Sequence, residues 1–582
     1  MISLERARTS GQLLAGMSSS DVLFVGNSSD RPRLAPPGSE RLTLHARHPS
    51  TVHVFGASSN VTIEHFADID TTVYLIGRPS HAQHSGRELL RFCCDCITRG
   101  TLASLRDVYG LFVIVIDDRA QREVTFVSDI LGVQPMFVGK HNGTLVAGNN
   151  VLKIASAGYS GGKANCDAVA AWLKYNHPVA GESVLEGFRK IGPARVCTWR
   201  ADGTFVSELQ YGELEFGNAN AAIDDVVDES CDAMRESVRV QTRELREVNL
   251  PLSGGYDSRL LVALASQFPS LKLYLATLDT REHESQTAIE VARALGLETR
   301  LLPGKKRILD LFDDPFCFTP CGFITGRNLT SFIAQTRPGM PLLSGFLGDG
   351  VMRGSLLAAF NAYLAKDGEN LPVDDYAQAL DKRYTMHGHR LNLLSDRIRK
   401  RSIERANAAI RRVAATGLAL GRPCIHGDLY CRHRFYFANV VLQHQDIAEG
   451  IAPFCNFRSL NCRTRYHFSC FNESNYPRLF EKHFPSLAKI PHSYHRSPKA
   501  TNRQKPGTPP TRHLRRWSAD LAAGLLLTDV LNGAKKRKIF TLLPSSLLGE
   551  AIYQDEITFL FKLMLFERAL QKHSIQFEWE QM

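Results

Sequence analysis

Val248-Asn249-Leu250-Pro251-Leu252 runs into Ser253-Gly254-Gly255-Tyr256-Asp257-Ser258 and then into Arg259 to Gln267, which reads as a short buried strand, a glycine-rich turn and a helix. Two adjacent glycines let a backbone approach a ligand without interference from Cβ atoms. The amides of such a turn and of the helix start point toward anionic oxygens. The segment is therefore read as a phosphate cradle. It has no Walker-type lysine, so the balancing charge is expected from Mg²⁺ with Asp257 as a carboxylate ligand. Taken alone, the hexapeptide also fits an ordinary turn in which Ser253 or Asp257 caps the helix.

Working outward, Leu271 to Leu278 reads as the next strand and Ser285 to Leu295 as the next helix, closed by Gly296. Alternating strands and helices predict a parallel sheet covered by helices. The apolar Met340 to Leu343 leads into a second glycine-rich turn, Ser344-Gly345-Phe346-Leu347-Gly348-Asp349-Gly350. If both turns leave the C-terminal edge of one parallel sheet, Asp257 and Asp349 can share a cation that bridges phosphate oxygens. Upstream, Ile223 to Glu247 has helical periodicity. Residues beyond 355 read as mainly helical and without internal repeats.

The first 210 or so residues have another character. Thr51 to Phe55, Thr72 to Ile76, Leu111 to Ile116, Val124 to Val127, Pro135 to Val138, Arg195 to Trp199 and Phe205 to Leu209 are β-like runs. Turns at Asp117 to Arg119, Lys140 to Gly143 and Gly203 separate several of them. One helix, Cys166 to Tyr175, interrupts the pattern. The reading is an antiparallel, mostly β domain over residues 1–215 and an α/β domain over residues 220–582, divided near Gly217-Asn218-Ala219-Asn220.

Composition excludes several classes. The chain has 582 residues, 44% hydrophobic and 22% charged, enough apolar material for several cores at roughly 100–200 residues each. No apolar run approaches the ~18 residues of a spanning helix, and Met1 to Met17 lacks the apolar stretch of a secretory signal. No membrane partner is expected, and the cytoplasm is the expected location. The thirteen cysteines include Cys93, Cys94 and Cys96, Cys317 and Cys321, and Cys455, Cys462 and Cys470. None of these groups has paired zinc-site spacing, so they are read as reduced, packed thiols. Seventy Lys+Arg against fifty-nine Asp+Glu give +11, favouring anionic partners. Arg496 to Arg516 and Lys535 to Lys538 concentrate that excess.

The Ser253 hexapeptide resembles the signature of the PP-loop ATP pyrophosphatases, which split ATP between its α and β phosphates and transfer AMP to an oxygen. With the Asp349 turn it resembles the asparagine synthetase family, and the likeness extends over nearly the whole chain. Gly110-Leu111-Phe112 through Asp117, and Ser128-Asp129-Ile130-Leu131-Gly132-Val133-Gln134-Pro135-Met136, are similar to that family's glutaminase-like first domain. Arg281-Glu282 with Ala288, Val291-Ala292 and Leu295-Gly296, and then Ile451-Ala452-Pro453-Phe454-Cys455-Asn456, resemble its synthetase half. The implied architecture is α/β and multidomain: a degenerate, β-rich, Ntn-hydrolase-like domain followed by a PP-loop synthetase domain with a helical C-terminal part.

Departures from the family narrow the expectation. Glutamine-hydrolysing members carry a nucleophilic cysteine after the initiator methionine. This chain has Ile2 there, so ammonia production is not expected and the first domain reads as silent. Family members without the cysteine include β-lactam synthetases and lasso peptide macrolactam cyclases. The former use a tyrosine three residues before the aspartate, where this chain has Phe346. Arg432-His433-Arg434-Phe435-Tyr436, and His483-Phe484-Pro485 with Ile490-Pro491, look more like the cyclases.

The resemblance implies an ATP-dependent, AMP-forming carbon–nitrogen ligase that adenylates an Asp or Glu side chain of a linear precursor peptide and closes a ring with its N-terminal amine. ATP is expected on Leu252, Ser253, Gly254, Gly255, Tyr256, Asp257, Ser258, Ala276, Leu278, Ser344 and Gly345. Mg²⁺ is expected between Asp257 and Asp349, and Lys499 is expected to act as the catalytic lysine, with Lys489 and Lys482 as competitors. His283, His433 and His444 are candidate bases without a partner visible in sequence. A leader-binding protein and a leader peptidase are the expected partners. An amidotransferase or β-lactam-forming enzyme acting on a small acid is the neighbouring alternative. RNA modification and a non-catalytic scaffold are more distant ones, and no nucleic acid is expected because no RNA-binding module is present.

Overall fold

The computed structural model describes residues 21–25, 51–55, 61–215, 220–279, 282–303, 318–324, 340–353, 372–385, 388–420, 426–442, 449–467, 470–493, 554–579 and 582. Ile2, Arg281, Cys317, His444, Lys499 and the two basic runs lie outside them, as does most of the stretch assigned to the domain boundary. In the first half the strands are β1 (Asp21–Val25), β2 (Thr51–Phe55), β3 (Val61–Phe66), β4 (Thr71–Gly77), β5 (Phe112–Asp118), β6 (Glu123–Ser128), β7 (Phe137–His141), β8 (Thr144–Gly148), β9 (Arg189–Lys190), β10 (Arg195–Arg200) and β11 (Phe205–Gln210). They form two antiparallel sheets, ordered β2-β1-β8-β7-β9 and β11-β10-β6-β5-β4-β3.

Strand alternation explains how these sheets pack. Val113, Val115, Tyr74, Ile76 and Phe126 meet Met136, Val138, Leu145 and Ala147 of the other sheet in one core. The intervening Ile114, Ile116 and Val73 face the other way, into the main core with Leu89, Leu90 and Cys93. Burial on both faces is why Leu111 to Ile116 is continuously apolar. The covering helix, Gly86–Thr98, buries Cys93, Cys94 and Cys96. Among the described residues all cysteines are free, ten of them buried, as expected for packed thiols.

Among the described residues the second half has five strands, β12 (Glu247–Pro251), β13 (Lys272–Asp279), β14 (Thr299–Pro303), β15 (Leu342–Leu343) and β16 (Gly450–Ile451). Their order is β14-β13-β12-β15-β16, and every pairing is parallel. The chain steps outward from β12 through β13 and β14, then restarts on the other side of β12 with β15. Sheet order therefore reverses between β12 and β15, where loops diverge and leave a crevice at the carboxyl ends of the strands. Helices Ile223–Thr242, Tyr256–Ala265 and Glu282–Ala294 accompany this sheet. The long helices Val373–Tyr384 and Asp396–Ala419 come later, in agreement with the helical reading.

The helix after β12 begins at Tyr256, three residues before the sequence-based start. Gly255 is its extended N-cap residue, with φ −82° and ψ 169°. The first helix of this half ends at Thr242 rather than Glu247, because Glu247 already belongs to β12.

The two halves are interlocked. Arg434 lies in a widened, π-type helix, His426–Phe437, and is buried. Its Nε donates to the Gly132 carbonyl at 3.1 Å and its Nη2 to the Ile191 carbonyl. Gly132 sits at φ +56° in a turn organised by Asp129, whose carboxylate accepts the amides of Leu131, Val133 and Gln134. The basic-aromatic run is thus interior architecture: Arg432, His433 and Arg434 are all buried. The His433 ring bonds the Asp428 carbonyl at 2.9 Å, and burial pushes it down to about 4, keeping it neutral. Residues 318–324 reach back in the same way, with Val184 N donating to Cys321 O and Trp172 Nε1 to Ile324 O. The C-terminal segment gives Gln576 O to Ala164 N at 2.9 Å.

Two expectations follow. Arg434→Ala leaves the Gly132 and Ile191 carbonyls without their buried donor and should lower stability by about 2–4 kcal/mol, read as a lower thermal midpoint. Burial pushes the Asp428 carboxyl up to about 7 against the pull of Arg383, Arg432 and Arg463. An unfolded Asp titrates near ~3.9, so the folded state binds the extra proton and stability falls as pH rises from about 4 through 7. Between pH 5 and 8 the melting temperature of Asp428→Asn should therefore drop less than that of the wild type.

Candidate active site

Both glycine-rich turns leave the sheet at the reversal point. Leu252 N donates to Ala276 O at 2.8 Å, tying the carboxyl ends of β12 and β13 together. Ser344 N donates to Ile451 O at 2.8 Å, doing the same for β15 and β16. Leu252 and Ala276 are buried, and Leu278 lies half-buried two residues further along β13. The Ser253 loop is closed by its own hydroxyls: Ser253 Oγ and Ser258 Oγ lie 3.0 Å apart, and Gly255 N donates to Ser253 Oγ. No side chain of Gly255 caps the following helix, so its first amides are left for another acceptor.

The structure brings Asp257 and Asp349 together through glycine. A Cβ at Gly348 would stand 2.6 Å from Asp257 Cγ, and one at Gly345 3.2 Å from Asp257 Cβ. Leu347, between them, is held at φ +73°, with its side chain buried. Left-handed backbone at a branched apolar residue costs on the order of 1–3 kcal/mol, so packing of the Leu347 side chain has to hold the turn. Gly254 is pinned from the other side: its Cβ would meet Ser493 Cβ at 2.5 Å, and Ser493 N donates to Gly254 O.

Side chains not marked by the sequence complete the wall. The Tyr476 hydroxyl donates to Asp257 Oδ1 at 2.5 Å, while its ring stacks on Tyr256 with centroids 5.2 Å apart. Arg353, one helical turn after Asp349, lies 3.2 Å from Asp349 Oδ1. Burial and the neighbouring Asp349 carboxylate push the Asp257 carboxyl up to about 7, opposed by Tyr476 and Arg353. Asp257 accepts Tyr476 and the Asp349 amide, so it does not cap its own helix. The Asp349–Arg353 spacing of four was the one legible hint of these partners. Nothing in the pattern around Tyr476, His492 or Ser493 marks them.

Lys482 is paired with Asp228 on the surface. Lys489 is exposed at the end of the short helix Pro485–Ala488. Among the described residues no group of three or more His, Cys, Asp or Glu could hold a metal. Two crowded carboxylates, one of them half-exposed, suit a cation that keeps waters and takes its remaining ligands from phosphate, as Mg²⁺ does. No helix among the described residues is long and apolar enough to cross a membrane.

Gly348→Ala forces Asp257 out of place while leaving the sheet intact. The ATP turnover expected from the sequence should fall on the order of 100-fold with little change in the circular dichroism spectrum, as measured by pyrophosphate release.

Two family models match separate stretches of the chain. Residues 230–447 match the asparagine synthase family model, and residues 94–211 match a glutamine amidotransferase domain. A relative, asparagine synthetase [glutamine-hydrolyzing] 1 of Bacillus subtilis (strain 168), is 24% identical over 226 residues, or 35% of this chain and 34% of that protein. The chain thus matches about a third of that relative's length. Two solved structures are similar at 10% identity, the allosteric regulatory enzyme of purine biosynthesis and the glutamine phosphoribosylpyrophosphate amidotransferase of B. subtilis with ADP and GMP. They cover 56% and 57% of this chain and 82% and 70% of their own, with TM-scores of 0.23 and 0.22, too low to carry an argument. The chain thus carries an amidotransferase-type domain followed by an asparagine synthase domain, with two carboxylate turns meeting at the edge of the latter's sheet, and in this it is similar to the asparagine synthetase family.

Proposed function

We propose that the protein is an ATP-dependent, AMP-forming ligase that closes a macrolactam in a linear peptide. The meeting of the Asp257 and Asp349 turns at the sheet reversal carries the ATP half of this reading. In it, the polyphosphate lies on the amides of Ser253 to Ser258, and Asp257 and Asp349 hold Mg²⁺, which neutralises phosphate charge when bound. Adenine sits against the main chain of Leu252 and of Ala276 to Leu278, with Ser344 and Gly345 beside the ribose and α-phosphate.

The reaction then has two displacements. An Asp or Glu carboxylate oxygen of the peptide attacks the α-phosphorus, the bond to the β-phosphate breaks, and pyrophosphate leaves. The peptide's N-terminal amine next attacks the activated carbonyl, the bond to AMP breaks, and the amine proton passes to solvent. Holding both peptide ends in one pocket makes ring closure effectively unimolecular, worth up to ~10⁵ M or more in effective molarity. Lys499 is assigned to charge stabilisation on the phosphates and the tetrahedral intermediate. The leader of the precursor is removed first, which calls for a leader-binding protein and a peptidase as partners. The cytoplasm, where ATP is available, is the proposed location.

The test is incubation of the protein with MgATP and the leader-free precursor peptide. The expected products are AMP, pyrophosphate and a peptide lighter by one water. Asp257→Ala and Asp349→Ala should abolish all three, whereas Ile2→Ala should leave them intact. Pyrophosphate release that depends on ammonium and a small acid instead of the peptide would replace this reading with an asparagine-synthetase-like one.

A further inference from the structure

The nucleotide loop carries no lysine, and the arginine of its own helix is already committed. Buried Arg259 donates to the carbonyls of Ile490 at 2.6 Å and Pro491 at 3.2 Å. Arg353 differs. Its side chain is 14% exposed, and its guanidinium lies 5.2 Å from the Tyr256 ring centroid and 5.6 Å from that of Tyr476. Nη2 meets His492 Nε2 at 3.2 Å, and Nε lies 3.6 Å from Glu473 Oε2. Two tyrosine faces and one imidazole therefore fix this cation beside both glycine-rich turns. Tyr256 itself belongs to the first turn, and Asp349 to the second.

The partners that bear negative charge are the ones most easily given up. Asp349 is 54% exposed and Glu473 83% exposed, so each pair is largely screened by water. The aromatic contacts stay in place whichever acceptor the guanidinium faces. Two carboxylates alone would repel a polyphosphate brought to this edge. A fixed guanidinium next to them offsets part of that repulsion and presents a fork of donors matched to phosphate oxygens.

We propose that Arg353 is a phosphate-binding residue of the ATP site, releasing Asp349 to the divalent cation and taking oxygens of the β- and γ-phosphates in exchange. The proposal rests on the nucleotide reading given above and adds to it the group that replaces the missing lysine.

Calorimetric titration of the full-length protein tests it, with MgATP, MgAMP and Mn²⁺ alone as separate ligands, on the wild type, Arg353→Gln and Arg353→Lys. Arg353→Gln should bind MgATP about tenfold or more weakly, the loss of roughly one charge-assisted contact. MgAMP, which lacks the β- and γ-phosphates, should be little affected. Mn²⁺ alone should bind as well or more tightly, since Asp349 loses a competing cation. Arg353→Lys should recover part of the ATP affinity. If Arg353→Gln does not fold, as judged by its melting curve, Arg353→Lys decides: a loss confined to MgATP supports the proposal, and unchanged affinity overturns it. Equal losses for MgATP and MgAMP mean that Arg353 is only structural, and retained MgATP affinity in Arg353→Gln likewise overturns the proposal. A wild-type protein that binds no MgATP sinks the ligase reading first and this assignment with it.

Discussion

The close approach of two backbones governs the rest of this structure. Asp257 is pressed against the main chain of Gly345 and Gly348, so the carboxylate has almost no freedom to leave the crevice. That contact exists because sheet order reverses between β12 and β15, which directs two loops far apart in sequence to one edge. It is maintained at a cost, since Leu347 adopts a left-handed backbone and two acidic groups are held side by side. Natural sequences concentrate such local conflicts where function requires them.

How much of this could be read from the chain depended on the reach of each interaction. β2 and the helix Cys166–Tyr175 were legible to the residue because strand and helix periodicities are local. Asp257, Asp349 and their glycines were legible because each turn announces itself through composition. Tyr476 was not: its hydroxyl acts on Asp257 across 219 positions, and nothing nearby distinguishes it from a core aromatic. The burial of the Arg432 to Phe435 run was not legible either. Charged residues usually mark a surface, but a widened helix turns these side chains inward, where carbonyls from the first half receive Arg434.

Charge is used in two ways. At the crevice, acidic groups remain partly accessible, with basic and aromatic neighbours that restrain them without covering them. Behind it, arginines serve as long-armed hydrogen-bond donors to main-chain carbonyls: Arg259 to Ile490 and Pro491, and Arg434 to Gly132 and Ile191. Guanidinium suits this task because it stays ionised while donating in several directions. Part of the net positive balance of the sequence is therefore spent on internal scaffolding rather than on attracting polyanions.

The pairing of Ala164 with Gln576 has a consequence for biogenesis. A ribosome emits the chain from its amino end, and the acceptor for this bond emerges only after more than four hundred further residues have been added. The first domain cannot complete its contacts until that segment has been released, and must wait for it partly assembled. Removal of the helix Gln554–Lys572 and the residues after it would accordingly harm a part of the molecule made much earlier, and tags or fusions are better placed where they do not delay that docking.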